Sequence, residues 1–175
     1  MEQSFSGWAW EVSDRSAAAG RTGESGLLYL GQKKWEMQAG SADFRPVPDC
    51  DPPVTDRRRR LLQMKDMIRR LSAIELENRK REPAREQLRL LARPLYRYET
   101  ESDQILDGAV ICYVHTTDPE ALVVLEAITN GDKTHWEYAF ARRTTLPVMG
   151  LIDDKEVWST KEVGHTGFNQ IRYSE

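Results

Sequence analysis

The chain has 175 residues, 39% of them hydrophobic and 30% charged, with a net charge of −3. That length leaves room for one domain with a real core, and five tryptophans and six tyrosines exclude a fully disordered chain. The charge is unevenly spread: 14 Lys/Arg against 6 Asp/Glu give +8 over residues 55–97, whereas 6 against 14 give −8 over residues 98–175.

Residues 1–54 read as a weakly structured N-terminal segment ending in a linker. Strand-like composition occurs at Trp8–Val12, Leu27–Leu30 and Lys34–Met37. Ser13 to Ser25 is small and polar, with almost nothing to anchor it, and is expected to form a mobile loop. Pro46, Pro48, Pro52 and Pro53 make Asp43 to Val54 extended, because proline removes an amide donor and biases its neighbours away from helix. No secretory leader is expected from Met1-Glu2-Gln3-Ser4. The longest apolar run, Ala121–Leu125, is far below the roughly 20 residues that cross a bilayer. Cys50 and Cys112 stand in such different settings that free thiols and a cytoplasmic location are expected.

Residues 55–175 read as one helix-plus-sheet domain. A helix is expected from Thr55, with Leu61, Met64, Ile68, Leu71 and Ile74 as its buried seam and Leu62 and Met67 widening it. Pro83 should end or kink it, and a second helix should run from Pro83 to Ala92. From Leu95 the apolar period becomes two. Strands are expected at Leu95–Tyr98, Ala109–His115, Ala121–Ile128, His135–Arg142, Val148–Ile152 and Glu156–Ser159. Asn130-Gly131 reads as a two-residue hairpin turn, which sets Leu125 opposite Trp136, Val123 opposite Tyr138, Ala121 opposite Phe140 and Glu126 opposite His135. The expected class is α+β: an antiparallel sheet of four to six strands packed on a long, kinked or broken helix that precedes it.

Part of this half has a familiar pattern. Arg93-Pro94-Leu95-Tyr96-Arg97-Tyr98, Asp107-Gly108-Ala109, Thr117-Asp118-Pro119-Glu120-Ala121-Leu122 and Trp136-Glu137-Tyr138-Ala139-Phe140-Ala141-Arg142 resemble uncharacterised bacterial proteins of planctomycete type. The resemblance covers about residues 93–158. It implies a self-standing domain and carries no function.

The residues offer little chemistry. Cys112 and His115 are three apart, on opposite faces of a regular strand, so no shared metal is expected, and no cofactor motif is present. Cys112 sits in an apolar strand and reads as a small buried residue. The phosphate-binding glycine loop is missing, since Gly20, Gly23 and Gly26 lie in a polar stretch. What stands out is the basic helix, over about residues 55–82, whose Arg58, Arg59, Lys65, Arg69 and Arg70 form the candidate binding face. The leading expectation is a non-catalytic binding or assembly module that self-associates or meets an acidic protein, with no membrane contact. Nucleic-acid binding through the helix is the first alternative, weakened because no aromatics interleave with the arginines. The second is an enzyme assembled from Asp103, Asp107, Glu126 and His135.

Overall fold

The structure is a computed structural model describing residues 43–77, 84–99 and 104–162, together with the backbone of four strands nearer the N-terminus. Those four are β1 (Ser4–Phe5), β2 (Trp8–Val12), β3 (Ser25–Tyr29) and β4 (Gln32–Met37), paired antiparallel in chain order. The loop expected at Ser13 to Ser25 lies outside the described residues, except that Ser25 opens β3.

Three long strands form the centre of a second sheet: β10 (Ile105–His115), β11 (Asp118–Asn130) and β12 (Lys133–Arg142). Both β10 and β11 are buried on both faces, which explains their nearly continuous apolar runs. The edges are short. β5 (Arg45–Pro46) flanks β12, while β8 (Arg89–Leu90) and β9 (Tyr96–Tyr98) share the outer side of β10. A third sheet runs β14 (Lys155–Ser159), β13 (Val148–Ile152), β6 (Leu71–Glu77), β7 (Ala84–Gln87).

The third sheet and the helix α1 (Arg57–Arg70) cover one face of the second. Ala109, Ile111 and Tyr113, Val123 and Leu125, and Trp136, Tyr138 and Phe140 meet Met64, Met67, Ile68, Leu71, Val148 and Ile152 there. Fully burying each large apolar side chain contributes about 1.5–3 kcal/mol. Phe140 stacks on Trp158 of β14 at 5.5 Å, and Tyr113 Oη donates to the Leu71 carbonyl at 2.9 Å, so both sheets are keyed together. On the opposite face Val110, Cys112, Val114, Leu122, Val124 and Ile128 form a second buried cluster, with Tyr98, Ile105 and the half-buried Phe44, Leu95 and Tyr96.

The expected α+β class, with its long helix, is overturned. Antiparallel sheet dominates, and α1 has 14 residues. It starts one residue later than expected, at Asp56, whose Oδ1 accepts from the Arg59 amide at 2.8 Å. It ends at Leu71, where the backbone turns extended at φ −91°, ψ 141°. Leu71, Ala73 and Glu75 are buried while Ser72, Ile74 and Leu76 are half-buried. That is the period of a strand, and it overlaps the helical spacing of Leu71 and Ile74. Both sides of β6 are hydrogen-bonded, to β13 and β7, so pairing outweighs the local helical preference. The second helix expected from Pro83 to Ala92 is likewise replaced by β7 and β8. Between them the Leu88 amide donates to Ala73 and the Leu91 amide to Cys112, so this segment passes from one sheet to the other and its donors are taken by strands.

The meander's register is shifted by two from expectation. Leu125 faces Tyr138, Ala127 faces Trp136 and Val123 faces Phe140. The turn residues are Gly131 and Asp132, between the paired Asn130 and Lys133. Only Gly131 has positive φ, +60°, which is a type II′ pattern with glycine first. A two-residue slip conserves faces, so the apolar set expected in the core is still there. The next hairpin turns at Asp153 and Asp154, φ 48° and 62°, a type I′ pattern. The proline-rich segment is more than a connector: β5 pairs with Glu137 and Tyr138, and the Val47 amide donates to the Trp136 carbonyl at 2.8 Å.

Candidate functional site

Helix α1 begins with four consecutive arginines and no acidic residue in its first turn, where the positive end of the helix dipole disfavours them. The fold supplies the carboxylates. Asp107, fully buried on β10, accepts from Arg60 Nε at 3.0 Å and from Arg97 Nε and Nη2 at 2.9 and 2.6 Å. Arg60 further donates to the carbonyls of Val54 and Thr55, and Arg57 pairs with Glu99. At the other end Arg70 meets Asp153 through two nitrogens and donates to the carbonyls of Pro48 and Asp49. Its hydrogen bond to Asp153 raises the Arg70 pKa and lowers that of the carboxylate. Much of the expected basic surface is therefore neutralised inside the chain, by groups of the acidic half.

The five candidate residues divide accordingly. Arg70 is pinned to the proline-rich segment and the β13–β14 turn. Arg69 pairs with Asp66 along the helix at 2.7 Å, both largely exposed, a pair worth about 0.3–0.5 kcal/mol. Arg58, Arg59 and Lys65 are exposed and make no ion pair among the described residues. Arg58, Leu62, Lys65 and Arg69 follow at spacings of four, three and four, which is one stripe of the helix. Leu62, expected to widen the buried seam, lies on this outer stripe and is 59% exposed, the large apolar side chain so placed among the described residues.

The residues of the enzyme reading are not brought together. Asp107 points to the α1 side of the central sheet. Glu126 points to the other side, where it accepts a short hydrogen bond from Tyr98 Oη. Tyr98, Gly108 and Glu126 lie in one row across β9, β10 and β11, and the Tyr98 ring crosses directly over Gly108. His135 faces Ile128 rather than Glu126, and its Nε2 lies 2.9 Å from Glu137 Oε1. Asp103 lies outside the described residues. Burial pushes the Cys112 thiol up to about 11, which opposes a thiolate.

Sequence reading missed two polar features. Glu75 on β6 is buried and faces His115 Nδ1 at 3.4 Å, near Glu120, whose carboxyl is pushed to about 6 chiefly by burial. Among the described residues no group of three or more His, Cys, Asp or Glu is placed to hold a metal ion. The other is a narrow cleft of about 110 Å³ between the proline-rich segment and β12. It is smaller than the roughly 300–1,000 Å³ of ordinary small-molecule sites. The isolated Gly108 inside an apolar strand was the one readable sign of a close approach.

No protein family, curated protein or solved structure matches this chain. Among the described residues no helix is long and apolar enough to cross a membrane.

Proposed function

We propose that this chain is a non-catalytic assembly module, and that the outer stripe of α1 docks on the acidic half of a second copy. The observation that carries the reading is Leu62, exposed between Arg58, Lys65 and Arg69, on a helix whose Arg57, Arg60 and Arg70 are already held internally. An exposed leucine ringed by charge matches an interface centre with a polar rim. Charge complementarity names the occupant: residues 98–175 carry −8 and three of their carboxylates already accept α1 arginines within one chain. The two free thiols fit a reducing compartment such as the cytoplasm.

Sedimentation velocity over a concentration series tests this. The unmodified protein should self-associate reversibly, less so at high salt, and Leu62→Glu should leave a folded monomer. A protein monomeric at every concentration that binds duplex DNA with a steep salt dependence would move the helix to the nucleic-acid reading. Three neighbouring cations, Arg58, Arg59 and Lys65, support that second reading.

A further inference from the structure

The cleft beside β12 is lined by Pro46, Val47, Cys50, Asp51, Pro52, Thr134, His135 and Trp136. Its frame is fixed. β5 and the Val47 amide tie one wall to β12, Gln63 Nε2 donates to the Pro52 carbonyl at 2.9 Å, and Arg70 holds Pro48 and Asp49. Cys50 Sγ donates to the Val47 carbonyl at 3.3 Å, and His135 is oriented by Glu137. Trp136 is 1% exposed, yet its Nε1–H has no acceptor among the described residues. Leaving a buried donor unsatisfied costs about 1–3 kcal/mol, and Trp136 lines the cleft, so an acceptor there that reaches Nε1 would recover that energy.

We infer that this cleft binds a primary amide group, such as the side chain of Asn or Gln or a small free amide. The volume admits a fragment of that size rather than a larger ligand. The lining includes Pro46, Val47, Pro52 and Trp136, and the unpartnered Nε1–H of Trp136 suits a carbonyl oxygen. Asp51 at the exposed rim, with the Thr134 hydroxyl, supplies acceptors for the amide N–H groups. A carboxylate of equal size has no N–H to give to Asp51 and meets its charge at the rim, which outweighs the attraction of Arg70 behind Cys50, so it binds more weakly.

The test uses the full chain, following indole N–H resonances by nuclear magnetic resonance, with acetamide and acetate as probes. The Trp136 signal is assigned by its loss in Trp136→Phe. Independently, triple-resonance assignment of the unmodified protein identifies it if that variant does not fold. Acetamide should shift that one resonance saturably, with weak affinity, since a ligand of four heavy atoms has little energy to give. Acetate should shift it less. Asp51→Ala, at an exposed position and without an acceptor, should weaken acetamide about fivefold, the size of one hydrogen bond. No saturable shift, or an equal drift of every indole resonance, overturns the site. Acetate binding as well as acetamide overturns the amide assignment, as does an unchanged affinity in Asp51→Ala.

Discussion

Replacing Asp107 by asparagine tests the ion-pair lock under α1. The change keeps shape and volume but removes the one charge that two arginines share. Three charge-assisted bonds end on this carboxylate, from Arg60 Nε and from Arg97 Nε and Nη2. Each is worth about 1.5–3 kcal/mol. Asparagine keeps one acceptor oxygen and turns the other into an amide that faces guanidinium N–H groups, so at least one bond is lost and one contact becomes repulsive. Arg60 then stays buried, held only by the carbonyls of Val54, Thr55 and, at 3.4 Å, Leu106. Arg97 is more exposed and recovers part of its loss in water. The expected cost is about 3 kcal/mol, at the lower end of what breaking a buried pair costs. For a chain of this size that is a fall of about 6–12 °C in melting temperature. Thermal unfolding followed by circular dichroism measures it. Removing Arg60 as well, in Arg60→Met with Asp107→Leu, should recover part of the loss, because the more deeply buried cation is gone, while Arg97 keeps the Arg57 carbonyl and turns to water. A cost below about 1 kcal/mol for Asp107→Asn would refute the lock as a structural device.

Two further outcomes are expected. Gly108→Ala should cost about 3 kcal/mol or more in urea unfolding, because a Cβ there would come within 2.3–2.8 Å of the Tyr98 ring and displace its hydroxyl from the buried Glu126; Tyr98→Phe should cost less, and a reversed order would show that the ring is not confined. Glu120 titrates at about 6 in the folded chain against 4.5 unperturbed, so the native state binds the extra proton and stability falls as pH rises through that window, then levels off. Glu120→Gln should remove this slope, and denaturation midpoints that change in parallel for both proteins would rule the explanation out.

The central meander was legible because an alternating pattern is read directly as a face, and a two-residue slip does not alter which side chains share it. Its exact register was not, since Asn130-Gly131 fits one turn frame and Gly131-Asp132 the next, and the choice rests on pairing along the whole strand. The region from Leu71 to Leu90 was misread for a different reason. Leu71 and Ile74 suit a helix by spacing, while Leu71, Ala73 and Glu75 suit a strand, and the partners that decide, β13 and β10, lie far along the chain. The basic helix was visible as charge. Which of its arginines face inward was not, because that depends on where Glu99, Asp107 and Asp153 are delivered.

The pairing of β6 with β13, Leu71 opposite Ile152, also has a kinetic consequence. The β10–β12 meander closes through two-residue turns and needs little loop entropy, whereas β6 can meet β13 only after the meander has brought its ends back. The third sheet therefore forms late, and α1, continuous with β6, is seated with it. Substitutions in the meander core, such as Val123→Ala, should slow folding, while Val148→Ala should mainly speed unfolding. Until that late step the face later covered by Phe140's partner Trp158 is open, so a chain stalled there exposes apolar strands to its neighbours before it gains its outer sheet.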